Sequence, residues 1–275
     1  MFQYKFMVIA FIVAILLGIS LPLLGTTAVY KRLSMSGDAL AHSSLAGVAI
    51  GLASGLNPLI TSMISCVVAF LIIEFIRRKF QKFSEISVAV VLSFALGLAG
   101  ILSNASNVSN FDSYLFGSIL LVNDLELYLV IAFTIVTVLF FFFLYDKIFL
   151  SLYSEDEAKV QGLKVNVLNF FESLLLSLVV AVSAKTIGSL VVSSMIVLPI
   201  AAALVLKLSY KKTLFLSIAL SLISMIGGLV ISYYAGTRSG ATIVMVATGE
   251  LVLLLLSSPI VSHFKKKNSS LKLND

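Results

Sequence analysis

FMVIAFIVAILLGISLPLL, residues Phe6 to Leu24, is an apolar run that carries no charge. A run near 20 residues crosses a hydrocarbon core of about 30 Å as a helix. Lys5 precedes it, so Met1 to Gly25 has the outline of a signal peptide. The run is longer than a typical h-region, however, and no convincing small-x-small cleavage site follows it. It is expected to stay in place as the first of several spans.

Similar runs recur along all 275 residues, of which 60% are hydrophobic and 12% charged. A soluble domain carries about 25% charge. Breaks at charges, Gly and Pro divide the chain into spans near 6–24, 37–55, 58–76, 86–103, 124–145, 168–184, 187–206, 213–234 and 242–262. The expected fold is therefore an all-α polytopic transmembrane bundle of about nine spans, within one membrane domain covering residues 1–275. The short joins at Asn57-Pro58 and Ala184-Lys185 leave eight or ten open. Residues Tyr114 to Val122, between spans four and five, are too few to cross and read equally as a re-entrant segment or a surface-loop helix.

The net charge of +6 does not form one patch, which argues against nucleic acid as a partner. Lys31 and Arg32; Arg77, Arg78, Lys79 and Lys82; Lys147, Lys159 and Lys164; Lys207, Lys211 and Lys212; and Lys265, Lys266, Lys267 and Lys272 occupy alternate loops. Basic loops face the cytoplasm and its anionic lipid. Lys5, Lys185 and Arg238 are left for the opposite side, giving an external N-terminus, a cytoplasmic C-terminus and a cytoplasmic-type membrane as the expected location. Cys66 is the single cysteine, so no intrachain disulfide or thiolate metal site is available.

The most informative span contains GDALAHSSLAGVAIG, Gly37 to Gly51. Asp38 and His42 are four apart and share a helix face. An ionised aspartate at the centre of a membrane helix costs about 2.5 to 3.5 kcal/mol on insertion scales, so it needs water, a partner or a metal. Carboxylate and imidazole suit zinc, manganese or iron better than copper(I). The plainer reading makes Asp38 a helix cap and lets His42 bond a backbone carbonyl.

Gly47, Gly51 and Gly55 recur every four residues and offer a small face for close helix packing or a channel wall. Pro199 is expected to kink the seventh span, as a gate or simply as a shaping element. Glu172 and Glu250 lie in or near apolar spans and need an interior or a wet surrounding. Either could instead be paired structurally, and Glu250 is otherwise a candidate for the same pathway. Glu74 sits beside Arg77 and Arg78 as a local pair, and His263 is interfacial.

Residues 146–166 form a cytoplasmic loop in which Ser154, Glu155, Asp156, Glu157 and Ala158 begin a short helix. Ser154 and Glu157 have capping-box spacing, and Gly162 can end the helix. It reads as a docking element or a solvated connector. No phosphate-binding loop and no H-E-x-x-H motif occurs, so nucleotide or peptide hydrolysis is not expected of this chain.

Gly37 to Gly51 resembles the zinc and manganese ABC importer permeases of the ZnuB type, whose second span carries G-D-x-[LT]-x-H-x-x-L-x-G-V-A-x-G. Asp156 to Gly162, Gly188 to Ala203 and Ser239 to Val244 agree in the same order. The resemblance implies a type II importer fold, a homodimer of this permease, and coupling through the Gly162 loop helix to a separate, homodimeric ABC ATPase that hydrolyses the ATP. An external solute-binding protein would deliver the metal, and no cofactor would be permanently bound. It further implies that Asp38 and His42 lie on the metal pathway and that the chain is a non-catalytic permease working by alternating access. The Ala184-Lys185-x-x-Gly188 run inclines the cargo to zinc over manganese. The rival readings are a metal-chelate or siderophore permease of related span pattern and an intramembrane metal-dependent hydrolase using Asp38, His42 and Glu250.

Overall fold

The computed structural model describes residues 5–79, 84–105 and 122–271, and every regular element among them is helical. The helices are α1 (Lys5–Tyr30), α2 (Ser34–Ser54), α3 (Pro58–Lys79), α4 (Ser84–Ala105), α5 (Asp124–Tyr153), α6 (Glu155–Val160), α7 (Val165–Ile187), α8 (Ser189–Val205), α9 (Tyr210–Ala235) and α10 (Ser239–Leu271). With the short α6 set aside, they follow the nine apolar runs one for one. Tyr114 to Val122, expected as a re-entrant segment or a surface-loop helix, falls outside the described residues except for Val122.

Seven of these helices are long and apolar enough to cross a membrane: α1, α3, α4, α5, α7, α9 and α10. The apolar α8 is shorter than these. α2 has the length but also carries Ser34, Ser36, Asp38, His42, Ser43 and Ser44. It meets hydrocarbon little, because most of its residues from Gly37 to Gly51 are buried against other helices. Polar side chains are tolerated at membrane depth only in such a setting.

Two joins that left the span count open are true breaks. Gly188 adopts φ 95° between α7 and α8, a backbone that glycine reaches without a Cβ penalty. The Asn57 side chain accepts a hydrogen bond from the Leu59 amide at 2.9 Å and starts α3 separately from α2. Some helices exceed the apolar runs. α1 continues to Tyr30 and α5 to Tyr153; Asp146 and Lys147 are exposed in the last turns of α5, so the helix carries them without losing a backbone bond.

α1 and α7 are central, with 61% and 56% of their apolar stretches buried, against 22% for both α5 and α10. α2 packs on α3, α4, α7 and α8, while α10 packs on α8 and α9. The outward faces of the peripheral helices carry large apolar side chains, among them Ile64, Phe75, Phe94, Phe142 and Phe215. In water such a belt would be a liability, whereas in a bilayer it is the solvent-matched surface. The interior holds small polar residues instead. Ser43, Ser62, Ser177 and Ser217 are buried and each donates to a carbonyl of its own helix at 2.7 to 2.8 Å, which keeps the hydroxyls paired without a partner helix.

Contacts sort the helix ends into two rims. At one rim Tyr210 of α9 packs against Tyr30 of α1, with ring centroids 5.3 Å apart, and against Tyr145 and Phe149 of α5. Lys31 meets Glu172 of α7 at the same level. α6 joins this rim, because it links the end of α5 to the start of α7. At the opposite rim Lys185, near the end of α7, pairs with Glu126 at the start of α5 at 2.6 Å. The helices thus run alternately up and down, as the charge alternation requires.

Candidate functional site

α2 is fixed by bonds from its neighbours within one turn of His42. The Cys66 thiol of α3 donates to the Leu40 carbonyl at 3.2 Å, and the Ser65 hydroxyl donates to the Ser43 carbonyl at 2.8 Å. From the α2 side, Ser44 donates to the Ala181 carbonyl of α7 at 3.4 Å. Glycines set the approach distance. A Cβ at Gly47 would stand 2.6 Å from the Cα of Ser62 and from the carbonyl oxygen of Thr61, and one at Gly51 would stand 2.8 Å from the Cα of Pro58. A Cβ at Gly37, next to Asp38, would stand 2.9 Å from the end of the Ile196 side chain of α8. Gly55 does not share this packing face. It adopts φ 71°, ends α2 as a left-handed cap, and has nothing near its Cβ position.

Asp38 and His42 do face one another, with His42 Nε2 3.6 Å from Asp38 Oδ1. That is beyond hydrogen-bond range. Two ligands bonded at 2.0 to 2.2 Å to one tetrahedral ion stand about 3.4 Å apart. The pair therefore needs to close by only a few tenths of an ångström to hold a common dication. His42 is largely buried, and its Nδ1 has no hydrogen-bond partner. Asp38 keeps a third of its side chain open, with 36% exposed. The two plainer roles therefore do not describe the pair: α2 is preceded by Leu33 with no side-chain cap bond, and His42 bonds no backbone carbonyl. Among the described residues no cluster of three or more His, Cys, Asp or Glu side chains is arranged to hold a metal, so this chain offers two ligands here.

Glu250 lies elsewhere, on α10. Both of its carboxylate oxygens are sealed from solvent without a hydrogen bond of good geometry, and Ser224 of α9 is the hydroxyl within reach. The hydroxyl of Ser221, one turn from Ser224, is likewise buried and unpartnered. Pro199 is buried within α8, which runs through it as one helix while lacking the amide that would bond back one turn.

Glu172 has found a structural partner. Lys31 Nζ lies 2.5 Å from Glu172 Oε2 and 2.9 Å from Asn169 Oδ1, so Lys31 is an interior ion-pair residue and not a free loop charge. Lys185 and Glu126 form the equivalent pair at the other rim. Sequence reasoning left Glu172 open to a structural pair without naming Lys31, and it missed the Lys185–Glu126 couple. The usable signal was that a carboxylate within a span requires a partner; the identity of a lysine 141 positions away carried none. Glu74 pairs with Arg77 at 2.5 Å.

α6 is the helix begun by Ser154, whose hydroxyl accepts the Glu157 amide at 3.2 Å. Ala158 is buried beneath it, while Glu155, Asp156, Val160 and Gly162 face outward. Gly162 turns the chain at φ 80°, and the Leu163 amide closes on the Ala158 carbonyl at 3.0 Å.

The sequence profile of the ABC 3 transport family matches residues 3–258. A probable metal transport system membrane protein of Treponema pallidum is 34% identical over 256 residues, covering 93% of this chain and 96% of that protein. The manganese transport system membrane protein MntC of Listeria monocytogenes is 30% identical, covering 94% and 92%. The high-affinity zinc uptake system membrane protein ZnuB of Haemophilus influenzae is 26% identical, covering 88% and 95%. Among solved structures, PsaBC from Streptococcus pneumoniae in complex with Fab superimposes with a TM-score of 0.83 at 26% identity, over 96% of both chains. This chain belongs to the ABC 3 transport family and is a multi-pass membrane protein of an ABC transporter.

Proposed function

We propose that the chain imports a divalent first-row metal ion, zinc or manganese, through a pathway on which Asp38 and His42 are the ligands. The observation that carries this reading is the 3.6 Å approach of a carboxylate and an imidazole on a helix held within the bundle. A dication sheds its water reluctantly, and charged or polar ligands offset that cost only where they replace part of the shell. Two ligands bind weakly, which suits an ion that must also leave.

Asp38 is open on the side its own chain does not cover, and a homodimer would present a second Asp38 and His42 there. With four ligands the site would match the coordination number that zinc prefers. The carboxylate accommodates manganese as readily. MntC and ZnuB, named for manganese and for zinc, resemble the chain along nearly its whole length, which supports either ion. Glu250 is assigned to the same pathway, because a carboxylate sealed within a span, with a hydroxyl but no cation in reach among the described residues, calls for a cation or a proton.

The rim that bears Lys31, Lys147, Lys159 and Lys164 faces the cytoplasm on this reading, with the N-terminus outside and the C-terminus inside. α6 projects from that rim and is the coupling element for a separate ATPase subunit, while an external solute-binding protein supplies the ion to the other rim. Alternating access then follows from ATP-driven movement of α6.

The test is metal accumulation by cells carrying Asp38→Asn/His42→Gln, grown with limiting zinc and then with limiting manganese. Uptake of one ion collapsing to the level of cells without the chain is expected. Undiminished uptake of both would overturn the assignment, and uptake of a large chelate alone would favour a siderophore-type permease.

A further inference from the structure

We infer that the Lys31–Glu172–Asn169 cluster is the positioning contact through which movement of α6 reaches the helix that bears Asp38 and His42; the inference rests on the coupling role proposed for α6. The connection can be followed residue by residue. α6 is tied to the start of α7 by a compact turn. The Leu163 amide bonds the Ala158 carbonyl at 3.0 Å, Gly162 turns at φ 80°, and α7 begins at Val165. Ala158 is fully buried, so α6 cannot shift without carrying this turn along.

Asn169 and Glu172 stand on successive positions of one α7 face, three residues apart, and both grip the ammonium of Lys31. Glu172 and Lys31 are 6% and 15% exposed at their side chains, so water does not substitute for either partner. The charge-assisted bonds are thus directional and strong, and they bind the end of α1 to α7.

From Lys31 the path to α2 is equally tight. The Arg32 amide bonds the Val29 carbonyl at 3.0 Å, and the Leu33 amide bonds the Ala28 carbonyl at 2.7 Å. Arg32 occupies the left-handed region at φ 58°, which a branched or long side chain adopts only where its surroundings enforce it. α2 starts at Ser34, and the Ser36 hydroxyl bonds the Leu33 carbonyl. A rigid turn of this length passes a displacement of Lys31 directly to the first turns of α2, where Asp38 lies. Lys31, Leu33, Ser36, Glu172 and Ser173 also line one small crevice, which leaves room for the contact to shift.

The experiment uses the chain assembled with its ATPase in lipid nanodiscs and vesicles. Lys31→Met/Glu172→Leu removes the link without leaving an unpaired buried charge, and Lys31→Glu/Glu172→Lys restores it with the charges exchanged. Metal affinity, metal-stimulated ATP turnover and metal uptake are measured for each. The apolar double variant is expected to bind metal like the wild type while uptake per ATP falls about tenfold, within the range usual for coupling between sites. The exchanged variant is expected to recover most of that loss. Wild-type uptake per ATP in the apolar variant would overturn the inference. So would joint loss of folding in both variants, which would make the pair merely structural. Import that survives Asp38→Asn/His42→Gln would sink the metal-pathway reading instead, so the two failures are distinguishable.

Discussion

His42 Nε2 stands 3.6 Å from Asp38 Oδ1, one helical turn away on α2, while the other nitrogen of the same ring is buried and bonded to nothing. The imidazole lies within ion-pair distance of the carboxylate but beyond hydrogen-bond range, and its other nitrogen is left without a partner. On the pathway proposed above, an ion would sit between the carboxylate and this ring. The helix that carries it owes its position to close packing and to few, specific cross-helix bonds, and those are open to perturbation.

Gly47 makes the closest approach of α2 to the backbone of a neighbouring helix. Gly47→Ala places a methyl 2.6 Å from the α3 backbone at Ser62 and Thr61, where no flexible side chain can move aside. The expected cost is about 1 to 3 kcal/mol, as for other overpacked interiors. Thermal unfolding in detergent measures it; Gly55→Ala, with open space around it, should cost only the strain of its positive φ.

Lys185 and Glu126 provide a control on the opposite rim. Lys185→Met alone leaves Glu126 buried and unpaired and should destabilise the chain by about 3 kcal/mol or more. Lys185→Met/Glu126→Leu should recover much of that loss, because apolar pairs of similar volume replace buried ion pairs well. Denaturation midpoints of the three variants decide the matter; equal loss in the single and double variants would contradict it.

Ser154 caps α6 through the Glu157 amide. Ser154→Ala should cost about 1 kcal/mol of local helix stability. Since α6 is short, the effect should appear as faster amide exchange from Glu155 to Val160 and lower ATP-driven uptake, with metal binding by the permease unchanged.

Glu250→Gln keeps the shape of the side chain and removes its charge. Folding should stay within about 1 kcal/mol of the wild type, because no ion pair is lost. Metal uptake should fall severalfold if the carboxylate serves the ion, and uptake equal to the wild type would remove Glu250 from the pathway.

The helices were legible wherever an apolar run neared the thickness of a bilayer, as from Phe6 to Leu24. α2 was read as a span near 37–55 by the same hydropathy, and the spacing of Asp38, His42, Gly47 and Gly51 added its candidate role. Helix ends were less readable, since α5 passes through Asp146 and Lys147 without a break: a charge ends a membrane span but need not end a helix. The partner of Glu172 was not readable at all, because pairing with Lys31 is decided by how α1 and α7 cross and not by any local period. Gly55 shared the four-residue spacing of its neighbours, yet the chain turns there, so periodicity alone made it look like a packing residue.

X-ray absorption at the metal edge, on the purified permease titrated with zinc and with manganese, tests the central claim most directly. Nitrogen and oxygen scatterers near 2.0 to 2.2 Å, including the outer-shell signature of an imidazole, are expected for the bound ion and should vanish in Asp38→Asn/His42→Gln. An unchanged spectrum from that variant, with the ion still bound, would contradict the account.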